Sequence, residues 1–278
     1  MLKNPIKTAK NSHWGNLIKN CLRWMPHHKE EHKLMIAQIS DMHIGPTDAP
    51  YRGMPVRQQF LEVIKVLAHK PLDLLILSGD LAAMEGDKDI YLWIKQALAD
   101  FPCPYVVMAG NHDQVKEMVE VFNLPPEDVW NDMLCFSRTI KDKRLIFLDT
   151  SSKSLPLEQL TWLDNQLLDY EEQVLLFIHH PPILCDCLFM DTHHSLQNID
   201  EIWPTLMHSF QIGHIFCGHY HTERTVVQDG KSVHLTPSTT FQIDPLPAEF
   251  VMEHMRPGWR IIEWKGSKVE TYVEYLPE

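Results

Sequence analysis

Five short polar motifs constrain this chain more than any other feature of its sequence. They are Ser40-Asp41-Met42-His43, Gly79-Asp80, Gly110-Asn111-His112, His179-His180-Pro181 and Gly218-His219-Tyr220-His221. Each motif follows an apolar run with the length and composition of a buried strand. We therefore expect the motifs to lie at strand ends and to meet in space.

The motifs supply Asp, Asn and His as potential ligands and contain no Cys, and this set suits Fe, Mn, Zn or a similar divalent ion. Each motif alone has an ordinary explanation: Asp80 could cap a helix, Asn111 could sit in a turn, and His179 could be a core histidine. Together, those explanations would leave six or more polar side chains buried without partners, at a high cost in free energy. The sequence therefore predicts a metal site.

The charge of the chain is uneven. The net charge is −12, yet residues 1–29 contain six basic and no acidic residues, so the rest of the chain carries −18. An acidic body of this kind argues against a nucleic-acid partner, which normally requires a basic face. If the body binds an anion, bound metal is the obvious source of positive charge.

The six cysteines show no Cys-x-x-Cys spacing and no disulfide framework. No apolar run approaches the ~20 residues that span a bilayer, and we find no secretory signal. We therefore expect reduced thiols in a cytoplasmic protein. Cys185 and Cys187 are separated by one residue, which is poor chelate spacing, so we expect a loop of free thiols near the substrate mouth and not a separate, soft metal site.

Short strands alternate with helical stretches from Leu34 to His221, and the apolar period then becomes two. Asp229-Gly230 and Lys265-Gly266 mark two hairpins in this last part. The order indicates an α/β fold with two stacked mixed sheets and helices outside. We predict one catalytic domain at residues 34–278, preceded by a basic extension at residues 1–33.

The extension carries an apolar stripe at helical spacing, formed by Trp14, Leu17, Ile18, Cys21, Leu22 and Met25. Such a helix could pack on the acidic body or on a second subunit, or residues 1–30 could make weak peripheral contact with an anionic membrane. A targeting presequence is less well supported, because the stretch contains a single arginine. We favour packing, because the acidic body is the nearer partner.

The motif order resembles that of the calcineurin-like metallophosphoesterases, and the resemblance covers about residues 34–264. Four further stretches look like features of the class III 3′,5′-cyclic nucleotide phosphodiesterase branch: Phe189-Met190-Asp191, Leu196-Gln197-Asn198, Thr236-Pro237-Ser238-Thr239 and Pro257-Gly258-Trp259-Arg260. The resemblance implies a four-layer α/β/β/α sandwich and a binuclear metal centre.

The resemblance also implies a role for each motif residue. One divalent ion (Fe, Mn or Zn) would be held by Asp41, His43, His221 and bridging Asp80, and a second by Asp80, Asn111, His179 and His219. A hydroxide bridging the two ions would attack phosphorus, and His112 would protonate the leaving oxygen. The residues implied in substrate binding are His43, Asn111, His112 and His221.

The implied activity is hydrolysis of cyclic AMP to 5′-AMP, with Thr236–Thr239 and Cys185–Asn198 shaping the nucleotide pocket. The alternatives are a broader phosphodiesterase for glycerophosphodiesters or 2′,3′-cyclic nucleotides, and a non-catalytic scaffold with the same fold. A protein phosphatase is disfavoured, because Leu81–Met84 replaces the Asp-Arg-Gly sequence of those enzymes. The expected partner is a small phosphodiester, and the sequence leaves the formation of a homodimer undecided.

Overall fold

The structure, a computed structural model, describes residues 32–277, and in this region the predicted alternation of strands and helices is present. The apolar stripe predicted between Trp14 and Met25 lies outside the described residues. The division of the chain into residues 1–33 and 34–278 stays a prediction.

The first sheet has five strands and contains both the earliest and the latest strands of the described region. Three parallel strands are β1 (Leu34–Ile39), β2 (Leu74–Ser78) and β3 (Tyr105–Met108). The hairpin of β14 (Gly258–Lys265) and β15 (Lys268–Tyr275) adds antiparallel to β1, giving the order β15-β14-β1-β2-β3. The first strand is therefore an interior strand whose two neighbours come from opposite ends of the domain.

The second sheet has six strands in the order β10-β11-β9-β8-β7-β6. Its strands are β6 (Phe136–Ile140), β7 (Lys143–Leu148), β8 (Val174–Ile178), β9 (Ile212–Cys217), β10 (Arg224–Gln228) and β11 (Lys231–Leu235). The four central strands are parallel, and an antiparallel strand closes each edge. Both sheets are therefore mixed, as predicted.

Six α-helices are described: α1 (Val56–Leu67), α2 (Lys88–Ala97), α3 (Val115–Phe122), α4 (Leu157–Leu167), α5 (Leu188–His193) and α6 (Ile199–His208). A 3₁₀ turn, Pro126–Asp128, leads into two short paired strands, β4 (Val129–Trp130) and β5 (Met133–Leu134). Another short pair, β12 (Gln242–Ile243) and β13 (Met252–His254), follows the last motif.

Alternating side chains of the second sheet pack into two different cores. Leu145, Phe147 and Phe177 join the core that includes the first sheet and helices α1 to α3. Ile146 and Leu176 join the core beneath helices α4 and α6. Because successive side chains of a strand point to opposite faces, this division places the second sheet between the first sheet and α4/α6. The predicted four-layer sandwich is confirmed.

A ladder of stacked rings crosses the second sheet on the face toward the first core. Phe136, Phe147, Phe177, Phe216 and His234 occupy opposite positions on adjacent strands, with ring centroids 4.5–5.2 Å apart. Stacked aromatic pairs across strands stabilise a sheet beyond the area that they bury. The ladder thus fixes the register of five strands at once.

Within residues 32–277, no helix is long and apolar enough to cross a membrane.

Candidate metal centre

Five loops carry the motifs, and each loop follows the carboxyl end of a parallel strand. Asp41 follows β1, Asp80 follows β2, and Asn111 follows β3 in the first sheet. His179 follows β8 and His219 follows β9 in the second sheet. Ligand sites in open α/β sheets lie outside the carboxyl ends of the strands, so the topology brings residues from all five motifs to one place.

The backbone of these loops is strained at the residues expected to bind metal. Asp41, His43, Asp80, His219 and His221 all have φ between +46° and +67°. This left-handed region is costly for residues other than glycine and recurs at functional sites. Hydrogen bonds to the neighbouring loop stabilise this backbone conformation. Asp41 N–H donates to the Gly79 carbonyl at 3.0 Å, and His43 N–H donates to the Asp80 carbonyl at 3.1 Å.

Two motif glycines allow the loops to approach one another closely. A methyl group at Gly110 would lie 2.3 Å from the Asp80 backbone nitrogen and 2.8 Å from His179 Nε2. One at Gly218 would lie 1.9 Å from Ser40 Oγ. Real side-chain atoms do not approach so closely, so these positions need glycine for space.

One group of potential ligands consists of Asp41, His43 and His221. The two imidazoles face each other, with 3.0 Å between their Nε2 atoms, and His221 Nε2 lies 3.4 Å from Asp41 Oδ1. His221 Nδ1 lies 3.1 Å from the Phe241 carbonyl oxygen, to which it donates. That contact fixes the tautomer and leaves the Nε2 lone pair directed into the group.

A second group consists of Asp41, Asp80, His179 and His219. His179 Nδ1 donates to the Ser78 carbonyl at 2.8 Å, which directs Nε2 toward Asp80 Oδ1 at 3.5 Å. His219 instead donates from Nε2 to the His194 carbonyl at 2.9 Å, which leaves Nδ1 as its free lone pair. A backbone carbonyl holds each ring in one tautomer, the usual support for a metal-binding histidine.

Several buried polar atoms of the site have no hydrogen-bond partner among the described residues. They are Asp41 Oδ1, His43 Nδ1, Asn111 Oδ1 and His179 Nε2. Orphaned buried acceptors are rare and costly in folded proteins. Oxygen and imidazole nitrogen together suit divalent ions such as Mn, Fe or Zn. The donor set therefore fits the metal ions that the sequence predicts.

The protonation states agree with this fit. Burial lowers the pKa of both His43 and His219 to about 3, so both rings are neutral near pH 7. Burial alone would raise the pKa of Asp41 and Asp80. The neighbouring histidines have the opposite and larger effect, and they hold both pKa values below the usual range. Burial would lower the pKa of His179, yet Asp80 and Asp41 raise it to about 9. A divalent cation would compete with the proton on His179, because a ligand imidazole is neutral.

Asp113 connects the loops after β2 and β3. Its carboxylate accepts from the backbone N–H groups of Leu81, Ala82 and Gly110 at 2.9–3.2 Å, and from the Tyr91 hydroxyl at 3.1 Å. Helix α2 is capped by Asp87, so the reading of Asp80 as a helix cap is wrong.

His112 lies beside the two groups. Its Nδ1 donates to the Met84 carbonyl at 2.8 Å, and its Nε2 lies 3.9 Å from Asp80 Oδ2. Its backbone N–H donates to Asp80 Oδ1 at 2.9 Å. The Met84 carbonyl therefore orients the imidazole, and the bond from the backbone N–H to Asp80 fixes the main chain at this residue.

A cavity of about 410 Å³ opens over these residues. Its polar wall contains the four residues predicted to bind substrate, namely His43, Asn111, His112 and His221, together with Asp80 and His219. The remaining lining residues are Tyr51, Arg52, Phe189, Met190, His194, Phe241, Ile243 and Phe250. Asp41 and His179 lie beneath, fully buried.

Most of the apolar wall was not predicted from the sequence. Of the two segments expected to shape the pocket, only 185–198 contributes, through Phe189, Met190 and His194. The expectation for Thr236–Thr239 is wrong. Ser238 donates to the Asp41 carbonyl at 2.8 Å, and Thr239 N–H donates to the Ser40 carbonyl at 3.1 Å, so this segment supports the first motif from behind.

Cys185 and Cys187 are free and buried. The groups of potential metal ligands among the described residues contain neither thiol, and the location of this loop near the substrate mouth stays a prediction.

Comparison with known proteins identifies the family. The family model described as calcineurin-like phosphoesterase matches residues 34–223, which contain all five motifs. The chain belongs to this family. The predicted membership among the calcineurin-like phosphoesterases, a family of hydrolytic enzymes, is thereby confirmed.

Two relatives of this calcineurin-like phosphoesterase carry more specific names. A Fibrobacter succinogenes protein named "probable cyclic nucleotide phosphodiesterase" is 40% identical over 260 residues, covering 93% of this chain and 98% of the relative. The 3′,5′-cyclic adenosine monophosphate phosphodiesterase of Escherichia coli K12 is 28% identical over 247 residues, covering 84% and 86%. Among solved structures, a dimetal phosphatase from Danio rerio matches with a TM-score of 0.62 at 12% identity, covering 86% of this chain and 98% of that one. That likeness concerns the fold alone.

Proposed function

We propose that this calcineurin-like phosphoesterase hydrolyses 3′,5′-cyclic AMP to 5′-AMP with two divalent metal ions. The observation that carries the proposal is the convergence of seven buried or half-buried donors, four of which have orphaned atoms, at the floor of one cavity. The names of the relatives support the choice of cyclic nucleotide.

In this proposal, Asp41, His43, His221 and Asp80 hold one ion, and Asp80, Asn111, His179 and His219 hold the other. Two bound divalent ions supply Lewis acidity at the phosphoryl oxygens and a nucleophile from water at neutral pH. The chain fixes the ligand tautomers through the carbonyls of Ser78, His194 and Phe241, and it keeps most ligands away from bulk water.

His112 is the proposed general acid. The Met84 carbonyl accepts a hydrogen bond from Nδ1–H, so the transferable proton of the imidazolium is the one on Nε2, which faces Asp80 and the cavity. A positioned proton on that nitrogen can be transferred to the departing 3′ oxygen of the ribose. His43, Asn111 and His221 line the same wall and are proposed to contact the phosphate together with His112.

The residues that line the cavity also distinguish the proposed activity from the alternative functions. A non-catalytic scaffold needs neither seven convergent donors nor an oriented His112. A general glycerophosphodiesterase has no use for the rings of Phe189, Phe241 and Phe250, whereas a nucleotide presents a flat base that can stack on such rings. The predicted cytoplasmic location stays a prediction.

Steady-state kinetics with the full-length, Mn-loaded protein test the proposal. The substrate panel contains 3′,5′-cyclic AMP, 3′,5′-cyclic GMP, 2′,3′-cyclic AMP and glycerophosphoethanolamine. We expect the highest kcat/KM for the 3′,5′-cyclic nucleotides and about two metal ions per chain by elemental analysis. A chelator should abolish turnover, and added Mn or Fe should restore it.

Asp41→Asn and Asp48→Asn provide a matched pair for this assay. Both remove one carboxylate, but Asp41 is fully buried among the ligands whereas the Asp48 side chain is 89% exposed. We expect the first variant to lose metal and activity and the second to keep both. A higher kcat/KM for glycerophosphoethanolamine, or full turnover in the chelated protein, would contradict the proposal.

A further inference from the structure

Among the described residues that line the cavity, Arg52 is the only lysine or arginine. Its Cζ lies 5.8 Å from the ring centroid of Tyr51, 5.8 Å from that of Phe241 and 5.4 Å from that of Phe250. These distances fall within the range of cation–π contact. A guanidinium and three aromatic rings thus form one continuous surface on the cavity wall.

The chain presents Arg52 at the tip of a tight turn. Tyr51 and Met54 exchange two backbone hydrogen bonds of 3.0 and 2.9 Å, and the two residues between them have φ of +49° (Arg52) and +85° (Gly53). Positive φ at both central positions defines a type I′ turn, which prefers asparagine or glycine at the place that Arg52 occupies. A strained arginine at a cavity wall is a reason to look for a function.

The guanidinium is also free to bind a ligand. Between His32 and Pro277, no carboxylate lies within ion-pair distance of Arg52, and no side-chain hydrogen bond is formed by it. Arg57, five residues later, differs in both respects: it donates to the Gly45 carbonyl and pairs with Asp48. Arg52 therefore keeps all five N–H donors for a molecule in the cavity.

The aromatic wall directly adjoins the polar wall. Tyr51 stacks on His43 with centroids 5.3 Å apart, and Phe241 packs on His221 at 4.5 Å. A ligand whose phosphate lies at the two histidines can therefore extend its other end onto Arg52 and Phe250.

We propose that Tyr51, Arg52, Phe241 and Phe250 form a nucleobase subsite that binds the purine ring of the substrate. The base stacks on the rings, and the guanidinium lies at the edge of the base, where it donates to purine N7. This proposal rests on the proposed function, because it assumes that the substrate carries a base. Guanidinium donors suit N7 and O6 of guanine at least as well as N7 of adenine, so cyclic GMP should bind as tightly as cyclic AMP.

The test varies Arg52 and the base together. The variants are Arg52→Ala, Arg52→Lys and Phe250→Ala, with Lys268→Ala, at an exposed position in the β14–β15 hairpin, as the control for loss of one positive charge. The substrates are 3′,5′-cyclic AMP and ribose 3′,5′-cyclic phosphate, which lacks the base. Binding of adenosine is measured separately by saturation-transfer NMR at the H2 and H8 protons, a readout that does not depend on turnover or on phosphate.

For Arg52→Ala we expect KM for cyclic AMP to rise about 3–30-fold with little change in kcat, the range given by cation–π energies. Phe250→Ala should raise KM by about 10-fold or more, as loss of base stacking does. The KM of Arg52→Lys should be closer to that of Arg52→Ala than to that of the wild type, because an ammonium group cannot stack on the aromatic rings. None of these variants should change KM for ribose 3′,5′-cyclic phosphate, and Arg52→Ala should lose the adenosine signal.

Equal increases in KM with both substrates would overturn the proposal. They would show that Arg52 contacts the phosphate or stabilises its own loop. Unchanged KM with cyclic AMP would overturn it as well. If the wild-type protein binds adenosine through Arg52 but cleaves no cyclic nucleotide, the subsite stands and the proposed function fails.

Discussion

At the scale of single residues, the direction in which each imidazole presents its lone pair decides what the site can do. His179 and His221 present Nε2, whereas His219 presents Nδ1, and in each case a backbone carbonyl sets the choice. His112 uses the same device, through the Met84 carbonyl, to keep its transferable proton on the cavity side. Backbone carbonyls thus assign different tasks to chemically identical side chains.

The role of His112 predicts a defined kinetic defect. His112→Ala should lower kcat for cyclic AMP by about 10²–10⁴-fold, the usual contribution of a positioned general acid. Metal content should stay unchanged, because His112 is not needed for either proposed ion. His193→Ala, at an exposed position near the cavity, is the control and should keep wild-type kcat. Loss of rate should be smaller for a nitrophenyl diester; equal losses on both substrates would exclude a proton-donor role.

The space at Gly110 gives a second prediction. A methyl group there would lie 2.3 Å from the Asp80 nitrogen, whereas at Gly45 its nearest contact would be an ordinary 3.6 Å. Gly110→Ala should therefore displace Asp80, reduce bound metal and lower the Tm by several degrees, while Gly45→Ala should do neither. Elemental analysis and thermal unfolding of both variants measure these effects. Full metal occupancy in Gly110→Ala would show that the loops can separate without loss of the site.

At the scale of elements, the segment from Thr236 to Thr240 acts as a brace behind β1. Ser238 Oγ donates to the Asp41 carbonyl, accepts from Thr240 N–H at 2.9 Å, and is fully buried. The hydroxyl of the neighbouring Thr239 is also buried and has no hydrogen-bond partner within residues 32–277. These adjacent residues thus differ in whether their hydroxyl groups support the metal loop.

This difference predicts opposite results for two neighbouring substitutions. Ser238→Ala leaves the Asp41 carbonyl unpaired in the core, so we expect a loss of about 1–3 kcal/mol in the free energy of unfolding and weaker metal binding. Thr239→Val removes a hydroxyl that bonds nothing while preserving shape, so stability should be unchanged or slightly higher. Urea unfolding and metal titration test both variants. Similar losses of stability in the two variants would mean that this segment supports β1 through packing and not through the Ser238 hydrogen bond.

The sequence predicted the elements whose apolar period is strong and missed those whose packing defines them. The parallel strands, the two hairpins and helices α1, α2, α4 and α6 follow from periodicity and turn residues. The periodicity predicts helices over residues 89–101 and 157–170, so α2 ends four residues and α4 three residues before the predicted end. Helix α3 was missed, although Val115, Met118 and Val121 recur at helical spacing, because eight residues give few repeats. The short helix α5 and the β12–β13 pair carry no periodic signal.

The residues of the candidate site also fall into a set that the sequence predicts and a set that it does not. Motif spacing pointed to the ligands, because strand ends in a parallel sheet are predictable neighbours. The aromatic wall was not predictable, since Tyr51, Phe241 and Phe250 lie in loops whose path depends on the whole fold. The one local signal was Arg52-Gly53, a turn dipeptide with an unexpected arginine.

At the scale of the whole molecule, buried histidines make stability depend on pH. Burial, with Arg260 and His214 nearby, lowers the pKa of His234 to about 3. An unfolded chain protonates this histidine below about pH 6.5, whereas the folded protein does not protonate it until about pH 3. The stability gained from the neutral ring is therefore complete above about pH 6.5 and declines as the pH falls toward 3.

His234→Gln tests this dependence. Between pH 7 and pH 5, the wild-type protein should lose about 2 kcal/mol more in the free energy of unfolding than the variant does, at about 1.4 kcal/mol per pH unit below 6.5. His69→Gln, on an exposed surface, should follow the wild-type curve. Urea unfolding at a series of pH values gives the slopes. Parallel curves for wild type and His234→Gln would show that the folded protein can protonate the ring.

The position of β1 between β2 and β14 has a consequence for how the protein is made. A ribosome synthesises His43 178 residues before His221, the residue whose nitrogen lies 3.0 Å away. At translation rates of roughly 5–20 residues per second, that interval is about 9–36 s. During it, β1 has an unpaired edge where β14 will later add, and the first ligands have no counterparts on the last motif. The two halves of the proposed metal site therefore cannot meet until the last motif has been synthesised, so the proposed site is completed late in the making of the chain.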